Sequence, residues 1–518
     1  MLISSMQRMQ RRTFLRRSAA TALGVAGTAL LAACGGGAPA LTTATTAPAS
    51  SVASVATSAA PTARAATSAT GSASAAPSSS AVSSSAAASR AATPSASAAS
   101  TGTGSAAVAS SAAPAGQKVA LEHIDWWGPT TPVLTNYFNG IKKDFEAKYP
   151  DVTINYVFVS GGTSGVREKW ITNTASGTPH DTSQVSVAFI HDLMVQRLLE
   201  PLDPYIARTP DMALANFVDT GLFYNTYQGK HYGIPYDGPA TNVIGYNTDH
   251  FTEVGLDPSR AFTWRWTFND FLAAAQKLTK TQGGQVTRGG FQPTGWGSFD
   301  SFAPWLYANG GQIYDATYTH LLLSDQHGQG ALQSVLGLKN NYQLAASAKD
   351  ASLDNEGYAM IVDGSWTAGY HLDKNPKLHW GYAPIPQGPL GQHPSSQTWT
   401  NQWSVNGGSP HKEVAWQWLS FVNAEATLEQ YFAGVMKRAA ARKAFYQSAA
   451  WKAVLREYPQ LDGIETVADT SGQYPWWDYA DLSAATKSIW SDIGAGKADV
   501  STALAQLQQV GDQVLAKG

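Results

Sequence analysis

VALEHIDWWGPTTPVLTNYFNGIKKDFEAKYPDVTINYVFV, residues 119–159, is the stretch on which the fold turns. Its two ends, VALEHIDWWGP and DVTINYVFV, have strand composition. Between them Leu134, Tyr137, Phe138, Ile141 and Phe145 recur at helical spacing, and Pro150 closes that element. Strand, helix, strand in this order is the opening of an α/β lobe with a parallel sheet. QVSVAF, from Gln184 to Phe189, reads as a further strand with His191 and Asp192 at its C-terminal end. In open α/β sheets ligands gather at that edge, so Trp127, just after the first strand, and Asp192 are expected to be neighbours.

Further along, YGIPYDGPATNVIGYN (Tyr232 to Asn247) mixes strand-like runs with Pro and Gly, which suggests a chain crossing near a hinge. Thr267 is placed to cap a helix, with Asp270 reaching back to it. Ser409 and Pro410 mark another helix start before VAWQWLSFV, where Val414, Trp418 and Val422 share a face. From Asp499 the chain is amphipathic, with Val500, Leu504, Leu507 and Val514 in one stripe. These helices read as packing elements.

Upstream of Lys118 the composition is of another kind. Gly35 to about Gly116 is almost wholly Ala, Ser, Thr, Gly and Pro, with nothing large to bury, and reads as a disordered tether. A flexible coil of about 80 residues would span on the order of 50 Å. Before it, Arg11, Arg12, Arg16 and Arg17 precede an apolar run from Ala19 to Ala33, the order of an export signal. The run is too short and too diluted for a stable membrane anchor. Its arginine pair followed by Thr13, Phe14 and Leu15 resembles a twin-arginine signal, with Gln10 where Ser or Thr is usual. Leu31-Ala32-Ala33-Cys34 resembles a bacterial lipobox, which would make Cys34 the lipid-bearing first residue of the mature chain. Cys34 is the only cysteine, so the folded part has no intramolecular disulfide and is held by its core.

About 400 residues beyond the tether are too many for one ordinary core, and two lobes are the expectation. A formal net charge of −2 gives no support for nucleic acid or an anionic membrane surface as partner. There is no HExxH, GxSxG or P-loop, no clustered Cys/His set for a metal, and the eleven His are scattered. No cofactor is expected.

From about Val119 onward the chain resembles the family 1 extracellular solute-binding proteins of bacterial ABC importers, the maltose-binding-protein group. The resemblance is carried by GIPY (Gly233 to Tyr236), IGYN (Ile244 to Asn247) and TFNDF, a variant of TWxEF with Phe268 in place of Trp. MIVDGSW (Met360 to Trp366), GYAPIPQGP (Gly381 to Pro389) and SVNGGSPHKEVAWQWLSFV (Ser404 to Val422) continue it in the family's order. It implies a two-lobed α/β fold of the periplasmic-binding-protein kind, with a ligand cleft between lobes joined by crossing hinge segments. The implied organisation is a signal peptide at 1–33, the lipidated Cys34 and tether at 34–117, a first lobe at 118–247 plus 403–448, and a second at 248–402 plus 449–518. An exported monomer is implied, held by lipid at the outer face of the cell membrane, with a sugar and the permease's transmembrane subunits as partners and no catalytic residues.

A sugar ring has an apolar C–H face and a hydroxyl rim, so its site needs flat aromatic platforms with donors and acceptors around them. By resemblance the first lobe contributes Trp127, Asp192, Tyr236 and Asp237. The second contributes Trp296 and Phe299 of TGWGSFDSF, Trp366 of the GSW motif, and Trp476 with Trp477 of QYPWWDY. Trp399, near the second crossing, and Arg438, in the loop after a helix, are further candidates. For each Trp the alternative is core packing, and for each Asp a role as a cap or a solvated loop residue. A glycoside hydrolase using Asp192 and Asp237 as its carboxyl pair, and a binding protein for a peptide, polyamine or metal chelate, remain open at this point.

Overall fold

The computed structural model describes residues 118–259, 266–473 and 479–516, which fall in one compact unit. The expected signal peptide, Cys34, the tether, Trp476 and Trp477 lie outside the described residues.

The opening stretch forms as its spacing predicts. Strand β1 (Val119–Asp125) and strand β2 (Val152–Phe158) pair in parallel along their whole length, from Val119 opposite Val152 to Asp125 opposite Phe158. The helix Pro132–Lys148 crosses between them and buries Leu134, Tyr137, Phe138, Ile141 and Phe145. Thr131 caps it, Oγ1 accepting from Leu134 N at 3.2 Å, and Pro132 occupies a first-turn position that needs no N–H. Burying each large apolar side chain contributes about 1.5–3 kcal/mol, so this face outweighs the helix's own propensity.

QVSVAF corrects the second expectation. Strand β3 runs Thr182–Val185 and stops there, because Ser186 turns the chain. Its Oγ accepts from Ala188 N (3.2 Å), and its carbonyl accepts from Phe189 N and Ile190 N. The helix Ile190–Val195 follows, and Asp192 sits in its first turn rather than at the strand end.

Five strands make the first sheet, in the order β2-β1-β3-β9-β4, where β4 is Ile234–Pro235 and β9 is Gln402–Val405. Its first three strands are parallel; β9 runs antiparallel to β3 and to β4. The second sheet is antiparallel and centres on β5 (Ala240–Asn247), flanked by β6 (Met360–Gly364) and β7 (Trp380–Ala383), with β8 (Thr398–Trp399) also pairing β5. Asn247, expected to close the first lobe, is therefore the last residue of a second-sheet strand. By sheet membership the two crossings lie between β4 and β5 and between β8 and β9.

The capping box at Thr267 and Asp270 is present on the helix Phe268–Leu278. The helix Lys412–Val422 buries Val414, Trp418 and Val422. The last helix, Val500–Leu515, is capped by Asp499 and buries Leu504 and Leu507. Among the described residues no helix is long and apolar enough to cross a membrane.

Candidate functional site

The two crossing strands run antiparallel and change sheets at the same level. Thr398 and Trp399 oppose Thr241 and Ala240 on one side; Gln402 and Trp403 oppose Pro235 and Ile234 on the other. In the gap one backbone bond, Tyr236 N to the Asn401 carbonyl at 3.3 Å, is joined by a side chain. Asp237, fully buried, accepts from Asn401 N at 2.9 Å and Asn401 Nδ2 at 3.2 Å. Burial pushes its carboxyl above the ordinary carboxylate range, while the Arg438 guanidinium and the Asn401 amides pull it back.

Arg438 reaches this carboxylate because of how its helix ends. The π-helical segment Glu429–Met436 stops at Lys437, which takes the left-handed conformation (φ 51°), and Arg438 N closes back on the Phe432 carbonyl at 3.0 Å. The side chain then runs inward. Nη2 donates to Asp237 Oδ2 at 2.6 Å, and Cζ lies 4.7 Å from the centre of the Trp127 ring. Nη1 is buried and, among the described residues, has no hydrogen-bond partner.

Trp366 arrives from the second sheet. Ser365 is sewn to the first crossing: its N–H donates to the Thr241 carbonyl (2.9 Å), its Oγ accepts from Thr241 N (3.1 Å) and donates to the Pro239 carbonyl (3.3 Å). The Trp366 ring packs edge-on against Trp399 of β8, centroids 5.2 Å apart. Gly238, Pro239, Ser365, Arg438, Tyr446 and Ile464 are among the residues lining a small cavity beside the crossing. The first crossing, the GSW turn and Arg438 thus meet at one cavity.

Other expected residues lie elsewhere or are otherwise engaged. Tyr236, expected in the cleft, is fully buried between Trp127, Trp403 and Phe432, because it points from the crossing into the core; among the described residues its hydroxyl has no partner. Phe299 is likewise core, edge-on to Trp490 at 5.4 Å, since it begins a helix whose every turn is buried. Asp192 is half-exposed and accepts from Arg167 Nη2 and Nε at 2.6 and 2.9 Å. Trp296 is half-buried with Lys339 Nζ 4.9 Å from its ring centre. Gln473 donates to the Thr220 carbonyl at 3.1 Å.

Three further residues are not singled out in the sequence, although Ser365 lies within MIVDGSW. Asn401 and Ser365 act through backbone and short polar groups, and Trp126, half-buried and edge-on to Phe189 at 6.4 Å, is separated from Trp127 only by the face it takes after β1. Among the described residues no group of three His, Cys, Asp or Glu side chains is placed to hold a metal ion.

Two sheets exchanging strands around a cavity define a two-lobed binding protein. The chain belongs to the bacterial extracellular solute-binding protein family, whose model matches residues 131–428, more than half of the sequence. A putative binding protein of Brucella abortus is 27% identical over 382 residues, covering 69% of this chain and 87% of that one. Among solved structures, an ABC substrate-binding protein from Listeria monocytogenes in complex with cycloalternan aligns with a TM-score of 0.66 at 19% identity, over 78% of this chain and all of that one. A maltose/maltodextrin-binding domain from Bdellovibrio bacteriovorus bound to maltotriose aligns with a TM-score of 0.64 at 17% identity, over 77% of this chain and all of that one.

Proposed function

We propose that this chain captures a sugar or oligosaccharide outside the cell and delivers it, chemically unchanged, to an ABC importer. The observation that carries the reading is the buried Nη1 donor of Arg438, unpartnered among the described residues, on a side chain that lines one cavity with Ser365 of the Trp366 turn. A buried donor beside aromatic faces suits a ligand with an apolar ring face and a hydroxyl rim. The oligosaccharides held by the Listeria and Bdellovibrio proteins support the same ligand class. Trp127, Asp237, Trp366, Trp399 and Arg438 form the central site in this reading, and Trp296, Trp476 and Trp477 extend it. Asp192 and Asp237 are each bound to an arginine, which favours binding over a hydrolytic carboxyl pair.

Ligand spanning the lobes favours their closed arrangement by its higher affinity for it, and the closed form docks on the permease. Lipid on Cys34 keeps the receptor at the membrane, and the tether raises its effective concentration there. The chain acts as a monomer.

Intrinsic tryptophan fluorescence of the exported protein, titrated with maltotriose and a panel of mono- and oligosaccharides, tests the reading, with each sugar checked by chromatography for cleavage. Saturable change without cleavage is the expected result; cleavage, or silence across the panel, overturns it. Cys34→Ser should release the protein from membranes with its sugar affinity unchanged.

A further inference from the structure

The turn Gly364-Ser365-Trp366 is flanked by two residues that one imidazole holds together. His371, buried in the helix Ala368–Lys374, has Nε2 at 2.7 Å from Asp363 Oδ2 and 3.2 Å from Thr367 Oγ1. Its other nitrogen, Nδ1, is 2.6 Å from Asp354 Oδ1. Asp363 and Thr367 are also tied to each other: Thr367 Oγ1 donates to Asp363 Oδ1 at 2.9 Å, and Gly364 N donates to the same oxygen at 2.8 Å. Tyr382 OH bonds to Thr367 Oγ1 from β7. Both ends of the turn are therefore fixed to one buried cluster.

We propose that His371 is a positioning residue for the ligand: by holding Asp363 and Thr367 it sets where Ser365 and Trp366 stand at the crossing cavity, without touching what binds there. The inference rests on reading that cavity as the ligand site. Gly364 makes outside support necessary. A Cβ on it would meet the Trp366 ring at 2.3 Å, so the turn requires glycine, the residue with the least conformational restraint of its own. The indole's lateral contact is the ring of Trp399.

The groups facing His371 are Asp354 from the loop before β6, Asp363 from β6, Thr367 from its own turn, and Trp380 and Tyr382 from β7, with ring centroids 5.5 and 6.4 Å away. Burial alone would lower the imidazole's pKa; the Asp363 charge, hydrogen bonds to Asp354 and Asp363, and the Asp354 charge outweigh it and raise it to about 10. At neutral pH both ring nitrogens carry a proton and both donate, which the two-sided clamp requires.

Trp366 and Trp399 are close enough to couple their indole transitions, so the circular-dichroism difference between the parent and Trp366→Phe reports their arrangement without ligand. Asp354→Asn removes one carboxylate, itself 29% exposed, and leaves Asp363 in place. The expected result is a variant whose pair signal matches the parent at about pH 6 and falls at least about twofold by about pH 9, where the parent keeps it, because the imidazolium now deprotonates within that window. Affinity for any sugar the parent binds should fall over the same range. His371→Gln should lack the pair signal at every pH. A pair signal in Asp354→Asn equal to the parent's at both pH values overturns the proposal, as does its loss only in step with the backbone helix signal. A parent silent to every sugar would overturn the proposed function instead, and the pair signal would still decide the role of His371.

Discussion

Arg438 and Asp237 meet at 2.6 Å between Nη2 and Oδ2, both buried, at the level where the chain passes between its two sheets. The carboxylate is shared: its other partners are both amide nitrogens of Asn401 on the second crossing strand. One buried ion pair thus joins both crossing strands to the loop after the π-helical segment.

Arg438→Ala leaves Asp237 buried without its cation and should cost about 3–5 kcal/mol of stability. Combining Arg438→Met with Asp237→Asn removes both charges and should recover most of that loss, because a buried pair is often no more stable than well-packed neutral groups. Urea unfolding of the single and double variants checks the stability. Sugar titration should show binding impaired in both, since Nη1 is gone from both.

Trp366 and Trp399 touch, yet only the replacement of Trp399 should cost much stability. Trp399 is 8% exposed and Trp366 is half-buried at the turn. Trp399→Ala should lower stability by about 3–5 kcal/mol. Trp366→Ala should weaken sugar binding by a few kcal/mol while the fold survives, seen as a lost fluorescence response with an unchanged unfolding midpoint.

Asp373, on the same helix as His371, accepts from Val133 N at 2.9 Å. Val133 is in the first turn of the helix Pro132–Lys148, so a residue from the second-sheet side serves a first-sheet helix terminus. Asp373→Ala should cost about 0.5–2 kcal/mol. Asp373→Asn, which keeps an acceptor but loses the charge, should cost about 0.3–1 kcal/mol, and less at high salt. Urea midpoints at two salt concentrations distinguish the variants.

Stability should peak near neutral pH. His371 is raised to about 10 in the fold, so its contribution is complete below its unfolded value of about 6.5 and is lost as pH rises through about 10. His180, buried edge-on against Trp170, is lowered to about 3 by burial first and then by His123 and Lys169. The unfolded chain takes up that proton below about 6.5 and the folded chain does not, so stability falls as pH drops toward 3. Melting temperature against pH should fall on both sides, with His180→Phe flattening the acid limb and His371→Gln the alkaline one.

Periodicity made the opening lobe readable. Leu134, Tyr137, Phe138, Ile141 and Phe145 are all buried because a helix packed on a sheet must hide one face, and that demand is written in residue spacing. Glycine and proline likewise marked the crossing at 232–247. Strand length was less legible. QVSVAF keeps strand composition through Phe189, but one serine hydroxyl and one carbonyl end the pairing at Val185 and carry Asp192 onto a helix.

The sequence by itself determined the class of fold, the place of the crossing and the identity of the aromatic and charged residues near it. Those follow from local patterns, where propensity, turn chemistry and one-sided burial act over a few neighbours. Tertiary structure alone decided which of these residues are buried and which partners they take. Tyr236 and Asp237 are adjacent in the chain, yet one becomes core and the other binds Arg438, 201 positions later. Direction of a side chain at a point where strands part, and its pairing with distant groups, depend on the packing of both sheets, which no local pattern encodes.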